Sequence, residues 1–373
     1  MLVDIPQDVT AARADYLKKI PNMPARPLLA DELDFAGAAF LLEESSRPLL
    51  LIGGGVPRSG AEGAVLRLAE KLRAPIVQTL MSTGCCEHSP YFAGLAGVYG
   101  SDSANALFTQ CDLLIAVGTR FSDRTIPNPK AIAKHAKILH IDIDPAEINK
   151  NLSSDLALVG DAQEILERLD AMIAPRSAGL ALPAPSPEPA PSAPSALTPR
   201  FLLETLSSLA GPGQVYTTEV GQHQLWAAKY LGVRGHQRFL TSGGLGAMGF
   251  GLGAAIGAAR ATGQRIINIA GDGSFFMNMS ELSTAAYYGL PIIEVILDNR
   301  ALGMVRQLQK TARLHCSQVD FDRKVDFSML ARAFGIPGYV VKTPQQAEQA
   351  FCEALSGKGP ALIDCRISRN QLV

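Results

Sequence analysis

The chain has 373 residues, a length that favours two domains over one. It is 47% hydrophobic and 18% charged, the balance of a globular protein with sizeable cores. The net charge of −1 excludes a basic stripe for nucleic acid and a polybasic membrane arm. No apolar run reaches the ~20 residues needed to span a bilayer. The nearest, GLGAMGFGLGAAIGAARA at 244–261, reads as a buried helix flanked by turns. Six scattered cysteines form no CxxC pair and follow no signal peptide, so they read as reduced thiols of a cytoplasmic protein.

In chain order, MLVDIPQDV opens as a strand with nothing before it, and residues 1–20 read as the remnant of a further domain. Residues 21–174 alternate buried runs with helical patterns. RPLLLIGGG is a strand entering a glycine turn, GAEGAVLRLAEKL a helix, and PIVQTL, DLLIAVGTR and KILHIDIDP further strands. Residues 175–199 carry eight of the 24 prolines and read as an extended, semi-rigid linker. Residues 200–373 repeat the first pattern with QVYTTEVG, RIINIAGDG, PIIEVILDN, GYVVKT and ALIDCRI. Continuous Val/Ile/Leu runs between helices predict parallel sheets covered on both faces. The expected fold is therefore α/β, two doubly wound parallel-sheet domains joined by a Pro/Ala-rich linker. Ligands bind such sheets at the carboxyl ends of their strands.

Those ends carry the chemistry. RIINIAGDG stops at Gly271-Asp272-Gly273, one carboxylate between two residues without side chains. An N-capping aspartate in a strand-to-helix turn would explain the triplet alone. Asn299, ending the neighbouring strand PIIEVILDN, adds a second hard oxygen at the same edge. One aspartate, one amide oxygen, a backbone carbonyl and phosphate oxygens suffice for magnesium on a diphosphate. In the first half, Gly53, Gly54 and Gly55 end a strand where a helix begins, as a dinucleotide phosphate requires. Glycine turns are common, however. Arg120 and Arg124 follow DLLIAVG and could pair with phosphate or carboxylate, or form surface salt bridges. Asp142 and Asp144 end a third strand, where an acid could bind a ribose or an amide edge.

GDGS followed by LDN is similar to the diphosphate-binding signature of thiamine diphosphate (ThDP) enzymes. TTEVGQHQLWAAKYL, TSGGLGAMGFGLGAAIGA and NRALGMVRQLQ resemble the catalytic subunit of the acetolactate synthase (acetohydroxyacid synthase) family. LIGGGV, VGTRFSDR and HIDIDPAEINKN resemble that family's central, FAD-binding domain. The resemblance covers almost the whole chain apart from the linker. It implies that Asp272, Asn299 and the carbonyl of Ala301 hold Mg2+, with Val220, Gly221, Gln222, His223, Gly271, Gly273 and Ser274 around the diphosphate. Gly246 and Met248 would contact the aminopyrimidine, Met248 as the wedge under the bent cofactor, and Gly303, Met304 and Val305 would close the pocket. Taken alone, Met248 and Met304 would read as core filling and His223 as a hydrogen-bonded core or surface histidine. Gly53, Gly54, Gly55, Thr79, Leu80, Met81, Gly118, Arg120, Asp142 and Asp161 would contact FAD. Arg124 would face flavin and substrate carboxylate, and Met248, Gln222, His223 and Arg124 form the implied catalytic set.

The implied activity is decarboxylation of pyruvate and addition of its two-carbon unit to a second 2-ketoacid, as in branched-chain amino acid biosynthesis. Implied partners are small 2-ketoacids, a second copy of the chain in a homo-oligomer, and a separate regulatory or N-terminal-domain subunit. Three departures accompany the resemblance. The family's N-terminal domain carries the glutamate that protonates the cofactor's pyrimidine, and MLVDIPQDV resembles only its last strand. Glu219 is of the right type for that glutamate but lies at the diphosphate end by motif. The tail expected after RISRNQLV is the second departure. The third is Leu308, which stands where the family usually has a tryptophan favouring 2-ketobutyrate, so acetolactate is the expected product. Other ThDP carboligases, such as a glyoxylate enzyme, and a cofactor-binding chain without activity of its own remain alternatives.

Overall fold

The computed structural model describes residues 3–15, 30–126, 132, 134–182, 197–211, 213–233, 238–313, 315–322 and 324–373. Among the described residues, twelve strands form two six-stranded parallel sheets. In the first, β1 (Pro48–Ile52), β2 (Ile76–Gln78), β3 (Phe92–Leu95), β4 (Leu113–Val117), β5 (Lys137–Asp142) and β6 (Leu156–Val159) lie in the order 3-2-1-4-5-6. The second holds β7 (Val215–Thr218), β8 (Arg238–Thr241), β9 (Ile266–Gly271), β10 (Ile292–Asp298), β11 (Gly338–Val341) and β12 (Ala361–Arg366), in the order 11-12-10-9-7-8.

The central strands form because both of their faces are covered. Every residue of β1, β4, β9 and β10 is buried, and each buried Leu or Ile contributes about 1.5–3 kcal/mol. On β9, Ile267 and Ile269 face one core while Ile266 and Ala270 face another. Helices begin where caps dictate. Thr198 accepts from Phe201 N ahead of Pro199, and Thr343 accepts from Gln346 N ahead of Pro344.

Several expectations need correction. Of the expected strand LVDIP, Leu2 lies outside the described residues, and residues 3–6 are exposed coil leading to the helix Gln7–Ala11, with Val3 and Ile5 in solvent. An extended segment with no strand beside it here has neither ladder nor apolar face to hold it. β3, β6 and β8 went unread because edge strands have one neighbour and stay partly exposed, which erases the continuous apolar run. The helix expected over 244–261 runs Phe250–Thr262 instead. Gly246 and Gly249, at φ +68 and +85, adopt left-handed backbone that a helix excludes. Within the expected linker, residues 183–196 lie outside the described residues. Before them, Arg176 N donates to Lys71 O and Leu180 is buried against the first sheet, so residues 175–182 pack rather than link.

Among the described residues no helix is long and apolar enough to cross a membrane. All six cysteines are free thiols, four of them buried.

Candidate active site

Strand order reverses between β7 and β9, so the loops leaving these strands diverge and open a crevice at their carboxyl ends. A shallow cleft, open to solvent, lies there. Val220–His223 enter it after β7, Gly271–Ser274 after β9, and Asn299 and Ala301–Val305 after β10, with Met248, Trp226 and Leu297 closing the wall. These segments are far apart in the chain; the register of three adjacent strands aligns their ends.

The glycines flanking Asp272 answer to their neighbours. A Cβ on Gly271 would lie 2.6 Å from His223 Nδ1, and one on Gly273 would lie 2.7 Å from Leu302 Cδ2. A Cβ on Gly303 would lie 2.7 Å from Asn299 Nδ2. The first of these places is taken by an imidazole ring. His223 is buried, and one ring nitrogen donates to the Glu219 carbonyl while Nε2 has no partner among the described residues. Burial drives its pKa down to about 3. The ring is therefore neutral, with the Nε2 lone pair uncommitted.

Gln222 joins three segments. Its Oε1 accepts from Asn299 Nδ2 at 3.1 Å, and its Nε2 donates to Gln307 Oε1 at 2.7 Å and to Gln371 O at 3.1 Å. Asn299 Oδ1 in turn accepts from Ala301 N at 3.1 Å. Asp272 starts the short helix Asp272–Phe275 and is 2% exposed. Burial, and then the neighbouring Asp298, hold its carboxyl well above the usual carboxylate range. Asp298 accepts from Arg300 N at 3.0 Å and pairs with Arg366 at 2.9 Å, and Arg366 also reaches buried Asp364 at 2.5 Å. Asp298 and Asp364 thus share one guanidinium, and Asp272, beside Asp298, pairs with no cation among the described residues.

Glu219 is fully buried beside them. Its carboxylate accepts from Gly249 N at 2.7 Å, Leu252 N at 3.0 Å and Ser274 Oγ at 3.0 Å. It caps the helix Phe250–Thr262. The hydroxyl of Ser274 is therefore committed to Glu219.

The model of the C-terminal TPP-binding domain of thiamine pyrophosphate enzymes matches residues 219–365, and that of their central domain matches residues 35–169. The probable acetolactate synthase large subunit of Methanocaldococcus jannaschii is 38% identical over 389 residues, covering 97% of this chain and 65% of that protein. The acetolactate synthase large subunit of Porphyra purpurea is 36% identical over 407 residues, covering 100% of this chain and 66% of that protein. Acetolactate synthase isozyme 2 large subunit of Escherichia coli is 37% identical over 378 residues, covering 98% and 68%. The chain belongs to the acetolactate synthase family. It spans about two thirds of the length of the relatives it matches.

The cofactor common to this family's TPP-binding domains fits the cleft on three observations. Asp272 lacks an offsetting cation, His223 presents an unpartnered buried nitrogen, and glycines remove side chains along the wall. Among the described residues, no three His, Cys, Asp or Glu side chains are grouped to hold a metal. A cation here would need amide, backbone and ligand oxygens besides Asp272, the donor set of Mg2+ on a diphosphate.

Of the residues expected around ThDP, all but Gly246 line the cleft. Gly246 sits in an exposed turn, with nothing within 4 Å of where its Cβ would be. The residues expected around FAD lie along the carboxyl edge of the first sheet: Gly53–Gly55 after β1, Thr79–Met81 after β2, Gly118 and Arg120 after β4, Asp142 at the end of β5, and Asp161 capping the helix Ala162–Met172. This edge meets the second sheet's unit where Gly243 packs on Met81 and Gly244 lies near Arg120. Arg124 is exposed and apart from the cleft's lining. Sequence reasoning missed Trp226, Gln307, Asp298 and the capping by Glu219. The signal for Trp226 was its position four residues after Gln222 on one helix, which puts both on the same face.

Proposed function

We propose that this chain performs acetolactate synthase-type carboligation. Pyruvate loses CO2, and its two-carbon unit joins a second 2-ketoacid, with pyruvate favoured in that role. The observation that carries the reading is the crevice between β7 and β9, where Asp272, Asn299, the Ala301 carbonyl and His223 converge.

When bound, ThDP supplies the electron sink for decarboxylation. Asp272, Asn299 and the Ala301 carbonyl hold Mg2+. Val220, Gly221, Gln222, His223, Gly271 and Gly273 surround the diphosphate, with Ser274 behind them. Neutral His223 offers an acceptor there without adding charge. Met248, Met304, Val305, Leu297 and Leu302 keep water from the reacting end, where the dry surroundings strengthen every polar contact. Gly246 and Met248 belong to the pyrimidine end. The edge of the first sheet takes FAD through Gly53–Gly55, Thr79–Met81, Gly118, Arg120, Asp142 and Asp161, and Arg124 serves a substrate carboxylate. The pathway is branched-chain amino acid biosynthesis in the cytoplasm, with a homo-oligomer and a regulatory subunit as partners.

The test supplies purified chain with ThDP, Mg2+ and pyruvate, and follows acetolactate together with the fluorescence of Trp226, the chain's single tryptophan. Quenching on ThDP addition and formation of acetolactate are expected, along with a flavin absorption band in the purified protein. Turnover of glyoxylate but not pyruvate would move the chain to another carboligase. Failure to bind ThDP with Mg2+ present would sink the site.

A further inference from the structure

The segment that carries Met248 is poorly supported by its own contacts. Leu245 is 96% exposed and Gly246 faces open space. Within the turn, Gly246 N and Ala247 N bond back to Ser242, at 3.0 and 3.1 Å. The firm anchor comes one residue after Met248. Both polar groups of the Gly249 backbone are held, the carbonyl directly from the segment that follows Asp272 and the N–H through Glu219. Gly249 N donates to Glu219 Oε2 at 2.7 Å, and that same oxygen accepts from Ser274 Oγ at 3.0 Å. Gly249 O accepts from Asn278 Nδ2 at 3.3 Å. The packing is equally close, since a Cβ on Gly249 would lie 3.1 Å from Met277 Cβ and 3.4 Å from Asn278 Cβ. Gly249 itself needs φ +85, which a side chain disfavours.

We propose that Glu219 and Asn278 are positioning residues that tie Gly249 to the Asp272–Asn278 segment, so that filling the metal and diphosphate end sets the position of Met248. The inference rests on reading the Asp272 turn as the Mg2+–diphosphate site. The tie has two independent strands. One runs from Ser274 through the Glu219 carboxylate to the Gly249 N–H, and the other from the Asn278 amide to the Gly249 carbonyl. A displacement of the Asp272–Asn278 segment when the turn takes up its ligand is passed to Gly249 at both its donor and its acceptor. Met248, one peptide bond away, moves with it. A carboxylate that only capped the helix Phe250–Thr262 would need the bonds to Gly249 and Leu252 and not the one to Ser274.

The experiment uses the full chain with its nine methionines labelled at the methyl carbon, Met248 being assigned through Met248→Leu. The probe is Mg2+ with inorganic diphosphate, which fills only the metal end, and binding is followed separately by calorimetry. The expected result is a shift of the Met248 methyl resonance on saturation. In Ser274→Ala and Asn278→Ala that shift shrinks, and in the double variant it is lost, while Asn278→Ala weakens diphosphate binding by about tenfold at most, the worth of one neutral hydrogen bond. Thermal melting confirms that the variants fold. A Met248 shift that persists at saturation in the double variant overturns the tie, because the probe then acts on Met248 directly. Binding without any shift in the parent chain overturns it as well and leaves the site reading intact. No binding at all removes that reading, and the tie with it.

Discussion

The two sheets end in glycine-rich turns of similar appearance, and the glycines do different work. In the first sheet Gly53, Gly55 and Gly118 face each other: a Cβ on Gly53 would strike the Gly118 carbonyl, and one on Gly55 would lie 2.6 Å from Gly118 Cα. Backbone meets backbone, and the turns after β1 and β4 lock together. In the second sheet Gly271 and Gly273 make way for side chains, the His223 ring and Leu302. Beside them sit a buried acid without an offsetting cation and a buried nitrogen without a partner. Glycine at a strand end therefore says that something approaches closely, and the neighbour's identity says what. The first edge is built for rigidity, with its arginines in solvent; the second holds unspent polar capacity.

The sharpest break in that comparison is Asp272→Ala. Affinity for ThDP with Mg2+ is expected to fall on the order of 1,000-fold, about 4 kcal/mol, read by Trp226 fluorescence. The melting temperature should not drop, because the change removes a buried carboxyl that burial and Asp298 disfavour in its charged form. A lower melting temperature with unchanged affinity would mean that the aspartate is structural. Next come Gly53→Ala and Gly271→Ala. Gly53→Ala meets backbone that cannot yield and should cost about 3 kcal/mol of stability in urea unfolding. Gly271→Ala meets the His223 ring, a side chain and not backbone, so more of the loss should appear as ThDP binding weakened about tenfold. Equal loss of stability in both variants would erase the distinction between the two edges.

How far the sequence could be read follows the same physics. β1, β4, β9 and β10 were legible because burial on both faces writes an unbroken apolar run. β3, β6 and β8, each with one neighbour, wrote no such run. Asp272 and Asn299 were legible from their places at adjoining strand ends. The roles of Glu219, Ser274 and Asn278 were not, since their common partner Gly249 is brought to them by tertiary packing. Glu294 looked like any polar residue in PIIEVILDN. Its partner Asn268 is set by the register of β10 on β9 and Asn268's further bond to Thr217 by that of β9 on β7. No spacing rule reads across three strands.

That ladder gives a pH test of the second sheet. Glu294 is 1% exposed, and Asn268 Nδ2 donates to both of its oxygens at 2.9 Å. Burial holds its carboxyl well above the ordinary range; the Asn268 amide opposes this and Glu219 adds to it. In the unfolded chain the same group ionises near about pH 4.3. Between that value and the higher folded one, the native state binds one more proton than the unfolded chain. Stability must then fall as pH rises, by about 1.4 kcal/mol per unit. Glu294→Gln removes this slope, so its urea midpoint should gain on the parent's as pH rises through the range above about 5. A constant difference across that range would show that Glu294 is ionised in the fold.

The smallest expected effect concerns the cleft's mouth. Leu308 lies on the helix Gly303–Thr311, three residues after Val305 and four after Met304, on the face that those two cleft residues share. It is 43% exposed, so a larger side chain has room. Leu308→Trp adds apolar surface where the second 2-ketoacid would present its alkyl group, and one methylene in an apolar pocket is worth about 1 kcal/mol or more. Competition between pyruvate and 2-ketobutyrate should therefore shift toward 2-ketobutyrate by roughly fivefold in the variant, with ThDP affinity unchanged because no cofactor-facing group is altered. If the product ratio stays fixed while turnover falls, Leu308 supports the helix and does not face the second substrate.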